Sequence, residues 1–352
     1  MKINFIIPFT NLTGGIKVVF EYCNRLKEHG HQINIYVPMK AYKFNNNGFI
    51  GILKTLKASI GNTLIRGKKV KWFKLNCPIK LVPYIGDKYV EDADICVATA
   101  WPTAYDVEKL CDSKGKKVYF IQHYEIWSGD KERVDNSYKL NLNQIVIAKW
   151  LEELMYEEFE KKSTIIYNGI DESEFYINEK PINDEITISI LYHELEWKGF
   201  RDGIEAIELV REQYPNIRVK AFGSKRGEGI PEYIEFYENP TREELKQVYI
   251  DSDIYVFPSR SEGWGLTVIE AMACKCAIAG TNTGSISEIA TDYENCLISE
   301  PMDIQALSKN IIKLIEDDSL RSEISKNAFD LASRFEWSNS VKKMEEFFRK
   351  IL

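Results

Sequence analysis

The chain has 352 residues, of which 44% are hydrophobic and 28% are charged, a composition typical of globular proteins. Its length is enough for two α/β domains with separate cores, and no apolar run approaches the roughly 20 residues of a membrane span. Seven scattered cysteines, an odd number, indicate reduced thiols, and we therefore expect a cytoplasmic protein.

The first half of the chain predicts alternating strands and helices. Lys2–Phe9 is apolar throughout, as in a strand buried on both faces of a parallel sheet, so we expect a strand here rather than a signal peptide. A turn with Gly14 and Gly15 leads into a helix that ends at Gly30, and the next strand is QINIYV. Later strands are predicted at residues 93–100, 117–123, 144–148 and 164–168.

Residues 40–74, called the basic segment below, contain nine Lys or Arg residues and no acidic one, interleaved with aromatic and aliphatic side chains. Such a segment can lie on an anionic membrane leaflet, where each near-surface charge contributes about 1 kcal/mol. It can equally bind an anionic acceptor or form a solvated loop, and these interpretations stay open. Nucleic acid is disfavoured because no binding motif accompanies the charges.

The second half repeats the alternation after a polar segment at residues 171–185. The helix expected from Thr241 has a capping box with Glu244, and a last helix is predicted from Ser338. Two such series predict two doubly wound α/β domains. The strands of the second series are predicted at residues 186–192, 218–223, 233–237, 254–257, 277–280 and 296–298.

The most informative motif runs from the strand at residues 254–257 into a polar loop. This loop contains Glu262 and the pair Gly263 and Gly265, and it leads into a helix that begins near Leu266 and carries Glu270. A glycine-bearing loop before a helix N-terminus presents backbone N–H groups and a positive dipole end to an anion. A phosphate site flanked by two hydroxyl-binding carboxylates would suit a nucleotide sugar. Glu270 alone is also explained as ordinary dipole complementation.

The stretch PSRSEGWGLTVIEAMACKC, with its Glu-x7-Glu spacing, resembles the signature of the retaining GT-B glycosyltransferases of family 4. The resemblance covers nearly the whole chain. It implies two Rossmann-like doubly wound parallel-sheet domains facing each other across a cleft, with residues 1–168 on the acceptor side and 169–337 on the donor side. Helix 338–352 would pack back on the first domain.

The resemblance also implies an activity. The enzyme would move a sugar from a nucleotide-diphosphate sugar, UDP-sugar being the commonest donor in the family, to a glycan or lipid-linked acceptor with retention of configuration. The setting would be cell-surface polysaccharide synthesis, with the protein cytoplasmic or peripheral on the inner membrane face through the basic segment. Two alternatives keep the fold, a nucleotide-sugar 2-epimerase and a catalytically silent subunit. A nicotinamide dehydrogenase is disfavoured because no G-x-G-x-x-G follows the first strand.

Site residues follow from the same resemblance. Glu262 would bind the sugar hydroxyls and Glu270 the ribose hydroxyls, while His123, at the end of its strand, would contact the donor sugar. His193 stands where the family usually has an arginine, and a histidine is largely neutral at pH 7 unless a phosphate raises its pKa. The remaining donor-binding residues would be Gly14, Gly15, Lys198, Gly263, Trp264, Gly265, Leu266 and Thr267. Weaker contacts to acceptor or sugar are expected from Thr99, Trp101 and Thr103.

Metal binding is not expected. Asp92–Asp94 and Asp251–Asp253 each precede a strand, at the end where parallel α/β sheets do not bind ligands, and we interpret them as turn residues. Cys274 and Cys276 have no nearby histidine partners. The leaving diphosphate would instead be stabilised by the helix N-terminus and Lys198, without a cofactor.

Overall fold

The computed structural model describes residues 1–44, 57, 59–61, 70–181 and 185–352. Two compact units emerge, one formed by Met1–Tyr167 with Ser340–Leu352 and the other by Asn168–Asn339. The basic segment falls largely outside the described residues, and so does the prediction that it contacts a membrane or acceptor. Within its described part, Trp72 stacks on Phe20 with ring centroids 5.5 Å apart.

The first unit is built on a parallel sheet with the strand order β3-β2-β1-β4-β5-β6-β7. The prediction missed β3, whose four residues are mostly only half-buried and so lack a continuous apolar pattern. Its strands are β1 Lys2–Ile6, β2 Gln32–Pro38, β3 Ile79–Val82, β4 Ile95–Ala98, β5 Lys116–Ile121, β6 Asn143–Val146 and β7 Ser163–Ile165. Its helices include α1 Gly14–Glu28, α2 Trp101–Lys109, α3 Lys131–Tyr138 and α4 Lys149–Phe159.

The second unit has a parallel sheet with the strand order β10-β9-β8-β11-β12-β13. All six strands predicted from the sequence are present, with ends shifted by one or two residues at most. They are β8 Thr187–Leu191, β9 Arg218–Gly223, β10 Ile234–Glu238, β11 Ile254–Phe257, β12 Ala277–Thr281 and β13 Leu297–Ser299. The helices are α5 Glu172–Phe175, α6 Phe200–Gln213, α7 Arg242–Ile250, α8 Leu266–Ala273, α9 Ile286–Ile289, α10 Ile304–Glu316 and α11 Asp318–Ala332.

Strand β11 shows why the strands of this sheet appear in the sequence as continuous apolar runs. Ile254 and Val256 belong to the core cluster that includes α6 and α10. Tyr255 and Phe257 belong to the other cluster, which includes α8 and α11. Both faces of the strand are therefore buried, as in parallel sheets covered by helices on each side.

Each sheet reverses its strand order once, between β1 and β4 in the first unit and between β8 and β11 in the second. Loops that follow such neighbouring strands leave toward opposite faces and open a crevice at the carboxyl ends, where α/β sheets bind ligands. The predicted class of two doubly wound parallel-sheet α/β domains is confirmed. The capping box is confirmed as well, since Thr241 Oγ1 accepts from the Glu244 N–H at 3.2 Å.

The last helix, α12 Trp337–Ile351, begins in the second unit and continues into the first. Ser340 Oγ donates to the carbonyl oxygen of Tyr167 at 2.6 Å. Val341, Met344 and Phe348 recur at helical spacing and are buried. Among the described residues, no helix combines the length and apolar character needed to cross a membrane.

Candidate functional site

The loops after β8 and β11 lie at the strand-order reversal of the second sheet. Hydrogen bonds hold these two loops together. The backbone N–H of Arg260 donates to the carbonyl oxygen of Trp197 at 2.7 Å. The Arg260 guanidinium reaches back to Asp202 on α6 with two hydrogen bonds of 2.7 Å each. This bidentate pair fixes the loop that carries Lys198 against the loop that carries Glu262.

Gly199 makes this close approach possible. Its φ of 67° lies in the left-handed region, and a Cβ built there would lie 1.9 Å from the carbonyl oxygen of Pro258. No side chain fits at that separation, so the position demands glycine. The residue also precedes α6, so the same turn sets the direction in which Lys198 leaves the sheet edge.

Lys198 and Glu262, both predicted to bind the donor, contact one another directly. Lys198 Nζ lies 2.6 Å from Glu262 Oε1, and the two side chains are 22% and 9% exposed. Ser259 Oγ donates to the same carboxylate oxygen at 3.4 Å. A cation and a carboxylate of this kind can serve a diphosphate and a sugar hydroxyl side by side.

His193 lies beside this pair as a neutral hydrogen-bond donor rather than a second cation. Burial lowers the pKa of its imidazole, and the positive charge of Lys198 lowers it further, against the opposing influence of Glu262. His193 Nδ1 accepts from the backbone N–H of Leu195 at 3.0 Å, so the neutral ring carries its proton on Nε2. The sequence analysis predicted a largely neutral His193 where the resembled family usually has an arginine, and the lowered pKa agrees with that prediction.

Helix α8 begins at Leu266 as the motif predicted, and Gly265 is its N-cap. The φ of Gly265 is 89°, which a side chain would strain, and a Cβ there would lie 3.1 Å from the Phe257 ring. The backbone N–H groups of Leu266 and Thr267 therefore open the first turn of the helix. Gly263 lies just before, in the loop of Glu262.

Trp264, predicted to bind the donor, has a buried side chain. The residue is only 2% exposed, and its indole lies 5.4 Å from the Phe335 ring. The side chain is part of the core, and its contact with a donor stays a prediction. An aromatic residue between two glycines suits both roles, and the local sequence could not distinguish them.

Glu270, on the second turn of α8, is 5% exposed and has two partners that the sequence analysis missed. Arg242 Nη1 lies 3.1 Å from Glu270 Oε1, and the Tyr249 hydroxyl donates to Oε2 at 3.4 Å. Burial would lower the pKa of Arg242, but the carboxylates of Glu270 and Glu174 outweigh it and raise that pKa. The sequence contained one indication of this pairing. Arg242 is a cation in the first turn of α7, where it opposes the helix dipole, and a residue in that position is stabilised by an acidic partner from elsewhere in the fold.

The glycine pair of the first unit lies in the first turn of α1. Thr13 caps this helix, its Oγ1 accepting from the Ile16 N–H at 3.3 Å. Gln122 Nε2 donates to the carbonyl oxygen of Gly15 at 3.1 Å, and a Cβ on Gly15 would lie 3.3 Å from that nitrogen. Gly15 is thus hydrogen-bonded to the segment that follows β5.

His123 lies two residues past β5, at the strand end where it was predicted. Its ring stands edge-on between two indoles, with centroid distances of 4.3 Å to Trp127 and 5.6 Å to Trp150. Its Nδ1 is 3.3 Å from the carbonyl oxygen of Tyr124. Because Gln122 precedes His123 and bonds Gly15, the structure brings the loop of His123 next to the first turn of α1 at the carboxyl edge of the first sheet.

Thr99, Trp101 and Thr103, from which contacts to acceptor or sugar are predicted, have buried side chains that bond within the first unit. Thr103 Oγ1 accepts from the Thr99 N–H at 3.0 Å and caps the start of α2. Thr99 Oγ1 donates to the carbonyl oxygen of Ile6 at 2.9 Å, and the Trp101 indole donates to Ser128 Oγ at 3.0 Å. These side chains hold the turn from β4 into α2.

Asp94 and Asp253, predicted from the sequence to be turn residues, each bond the backbone of a neighbouring strand. Asp94 Oδ2 accepts from the backbone N–H of Lys2 at 2.7 Å, and Asp253 Oδ2 accepts from that of Thr187 at 2.9 Å. Each carboxylate thus joins the start of its strand to a neighbouring strand. Within the described ranges, no three or more His, Cys, Asp or Glu side chains are grouped to hold a metal ion.

Residues 172–330 match the model of the family described as glycosyl transferases group 1. The match lies within the second unit. The ion pairs of Lys198 with Glu262 and of Arg242 with Glu174 and Glu270 therefore all lie within the matched residues.

Two curated relatives extend the comparison. An uncharacterized glycosyltransferase of Methanocaldococcus jannaschii is 24% identical over 214 residues, covering 59% of this chain and 59% of the relative. The capsular polysaccharide biosynthesis glycosyltransferase CapM of Staphylococcus aureus is 27% identical over 177 residues, covering 46% of this chain and 47% of CapM. The chain therefore spans about half the length of these relatives.

Among solved structures, HepE of Anabaena in complex with UDP-glucose superimposes with a TM-score of 0.76 at 15% identity. The alignment covers 99% of this chain and 100% of HepE. At this identity the likeness shows the fold alone, and the predicted GT-B fold class is confirmed.

Proposed function

We propose that the protein is a glycosyltransferase that moves a sugar from a UDP-sugar to a glycan or lipid-linked acceptor. The observation that carries this proposal is the contact between Lys198 and Glu262 at the strand-order reversal of the second sheet. The pair lies within the group-1 match, and its chemistry supports the proposal, because an ammonium suits a phosphate and a carboxylate suits sugar hydroxyls. The UDP-glucose in HepE supports the choice of nucleotide.

The chemistry of transfer requires these groups. When a sugar–phosphate bond breaks, positive charge grows on the sugar and negative charge on the leaving diphosphate. Lys198 and the N–H groups at the start of α8 stabilise the diphosphate, and His193 Nε2–H donates one further hydrogen bond. Glu262 accepts hydrogen bonds from the sugar hydroxyls, and Glu270 accepts those of the ribose.

We infer that transfer retains the anomeric configuration and needs no added divalent cation. Lys198 and the dipole of α8 supply the positive charge that a metal ion provides in other transferases. The donor phosphate accepts the proton of the acceptor hydroxyl on the face from which the diphosphate leaves.

The acceptor we propose is an anionic glycan or lipid-linked precursor of a cell-surface polysaccharide. The name of the Staphylococcus aureus relative supports this class. The excess of basic residues in the basic segment supports an anionic partner, and a cytoplasmic protein bound peripherally to the inner membrane face would meet it there.

Calorimetric binding of UDP, GDP, dTDP and ADP in EDTA tests the donor site, and transfer from matching nucleotide sugars tests the activity. We expect tight binding of UDP, and transfer that is lost in Glu262→Ala and kept in Glu323→Ala, an exposed carboxylate on α11. NMR of the product's anomeric proton reads out the configuration. Near-normal turnover in Glu262→Ala would remove the core of the proposal. Binding without transfer to any acceptor would favour the silent-subunit alternative, and isomerisation of the donor would favour the epimerase.

A further inference from the structure

Glu270 is a buried charge on an otherwise apolar helix. Its neighbours on α8 are buried hydrophobic residues, while its own carboxylate is 5% exposed. A buried carboxylate is costly unless it is paired and hydrogen-bonded. The pairing group, Arg242, comes from a different helix and lies 28 residues earlier in the chain.

The guanidinium of Arg242 is fixed on three sides. Its Nη1 bonds Glu270 Oε1 at 3.1 Å, and its Nε donates to Glu174 Oε2 at 2.9 Å, with Nη2 bonded to the same oxygen. The plane lies over the Phe175 ring, 4.4 Å from its centroid. Because the planar guanidinium is held at several points, its Nη1–H bond to Glu270 has a fixed direction.

We propose that Arg242 is a positioning residue, which orients the Glu270 carboxylate for hydrogen bonds from the ribose hydroxyls of the donor. The inference rests on the proposed function, in which Glu270 binds the ribose. Arg242 holds Oε1 and Tyr249 holds Oε2, so the plane of the carboxylate is set before a nucleotide arrives. A carboxylate offers about four lone-pair directions, which allows these bonds and hydroxyl contacts at once. A carboxylate held in this orientation before binding should favour nucleotides that carry both ribose hydroxyls over those that lack one.

The test compares each ribonucleoside diphosphate with its 2′-deoxy counterpart by calorimetry on the full chain. UDP, GDP and ADP are tried, and the pair that the unmodified protein binds is carried forward. A hydrogen bond to a charged acceptor predicts a preference for the ribose form on the order of 10- to 100-fold. In Arg242→Gln we expect this preference to fall to about threefold or less, through weaker binding of the ribose form alone.

Arg321→Gln is the matched control, because Arg321 also bonds a carboxylate, Asp318 at 2.6 Å, and a helix carbonyl, that of Leu314 at 2.6 Å. It should lose stability and keep the full preference. A folded Arg242→Gln that keeps the preference would overturn the inference. If that variant does not fold, Arg242→Lys keeps the charge without the fork, and an unchanged preference there would overturn it equally.

The outcomes separate this inference from the proposed function. Unmodified protein that binds none of the diphosphates would refute the donor site itself, and the inference with it. Unmodified protein that binds one diphosphate without preference for ribose would refute the positioning role, while the proposed transfer through Lys198 and Glu262 would stand.

Discussion

Replacing Glu262 by glutamine should tighten the binding of free UDP while strongly slowing sugar transfer. In the structure the Lys198 ammonium is bound to the Glu262 carboxylate at 2.6 Å. A diphosphate must compete with that carboxylate for the ammonium. Glutamine keeps the shape and the acceptor for Ser259 but removes the competing charge, and it removes the acceptor strength that the sugar hydroxyls need.

The magnitude follows from the burial of the pair. With side chains 22% and 9% exposed, the Lys198–Glu262 bond is stronger than a surface pair and weaker than a fully buried one. Surface pairs contribute about 0.2–1 kcal/mol, and breaking a buried pair costs about 3–5 kcal/mol. We take about 1 kcal/mol as the competition that glutamine removes, which corresponds to UDP binding roughly fivefold tighter. Transfer should fall on the order of 100- to 1,000-fold, as for loss of one group that stabilises a transition state.

Calorimetry with UDP and initial rates with the UDP-sugar measure the two effects on the same protein preparation. Lys198→Gln is the matched control, since it breaks the same ion pair but removes the phosphate-binding partner, and its UDP binding should weaken. If Glu262→Gln weakened UDP binding as much as Lys198→Gln does, the ion pair would be a structural unit rather than a competitor of the diphosphate.

Further expectations concern three other residues. Gly199→Ala, whose Cβ would lie 1.9 Å from a carbonyl oxygen, should cost about 3 kcal/mol or more in urea unfolding, and an unchanged midpoint would contradict the contact. Burial raises the pKa of Glu125 to about 7 against the opposing hydrogen bond from the Trp101 N–H, so the contribution of this group to stability is complete below pH 4.5 and is lost as pH rises through about 7. Glu125→Gln should remove a decline on the order of 1–3 kcal/mol, measured by unfolding at pH 4.5 and 8. His193→Arg should tighten UDP binding roughly fivefold by restoring a cation, which calorimetry checks.

Most of the fold could be predicted because parallel strands covered on both faces are continuous apolar runs. The run Ile254–Phe257 was read with its ends correct for this reason. Lys2–Phe9 was read too long, since the strand ends at Ile6 while Ile7 remains buried in the loop. Ile79–Val82 was missed because its side chains are mostly half-buried.

The local parts of the site were equally readable. The Gly265 cap and the start of α8 depend on backbone geometry that neighbouring residues dictate. The pairing of Lys198 with Glu262 joins residues 64 positions apart, and only the strand order brings them together. The sequence predicts that both residues bind the donor, a role that stays a prediction, but it does not predict their mutual contact.

The Lys198–Glu262 and Arg242–Glu270 ion pairs have different consequences, although each joins a cation to a carboxylate of the Glu-x7-Glu motif. Lys198 is a point charge on a flexible stem, so its ammonium can turn from Glu262 to a phosphate without disturbing the backbone. Arg242 is a planar fork held by Glu174 and Phe175, and moving it would expose the buried charge of Glu270. Donor binding should therefore exchange the first pair and leave the second intact. Glu262, which changes its partner, would then face the sugar, where the bond to phosphate breaks. Glu270, which keeps its partner, would face the ribose, which takes no part in the reaction and only has to be recognised.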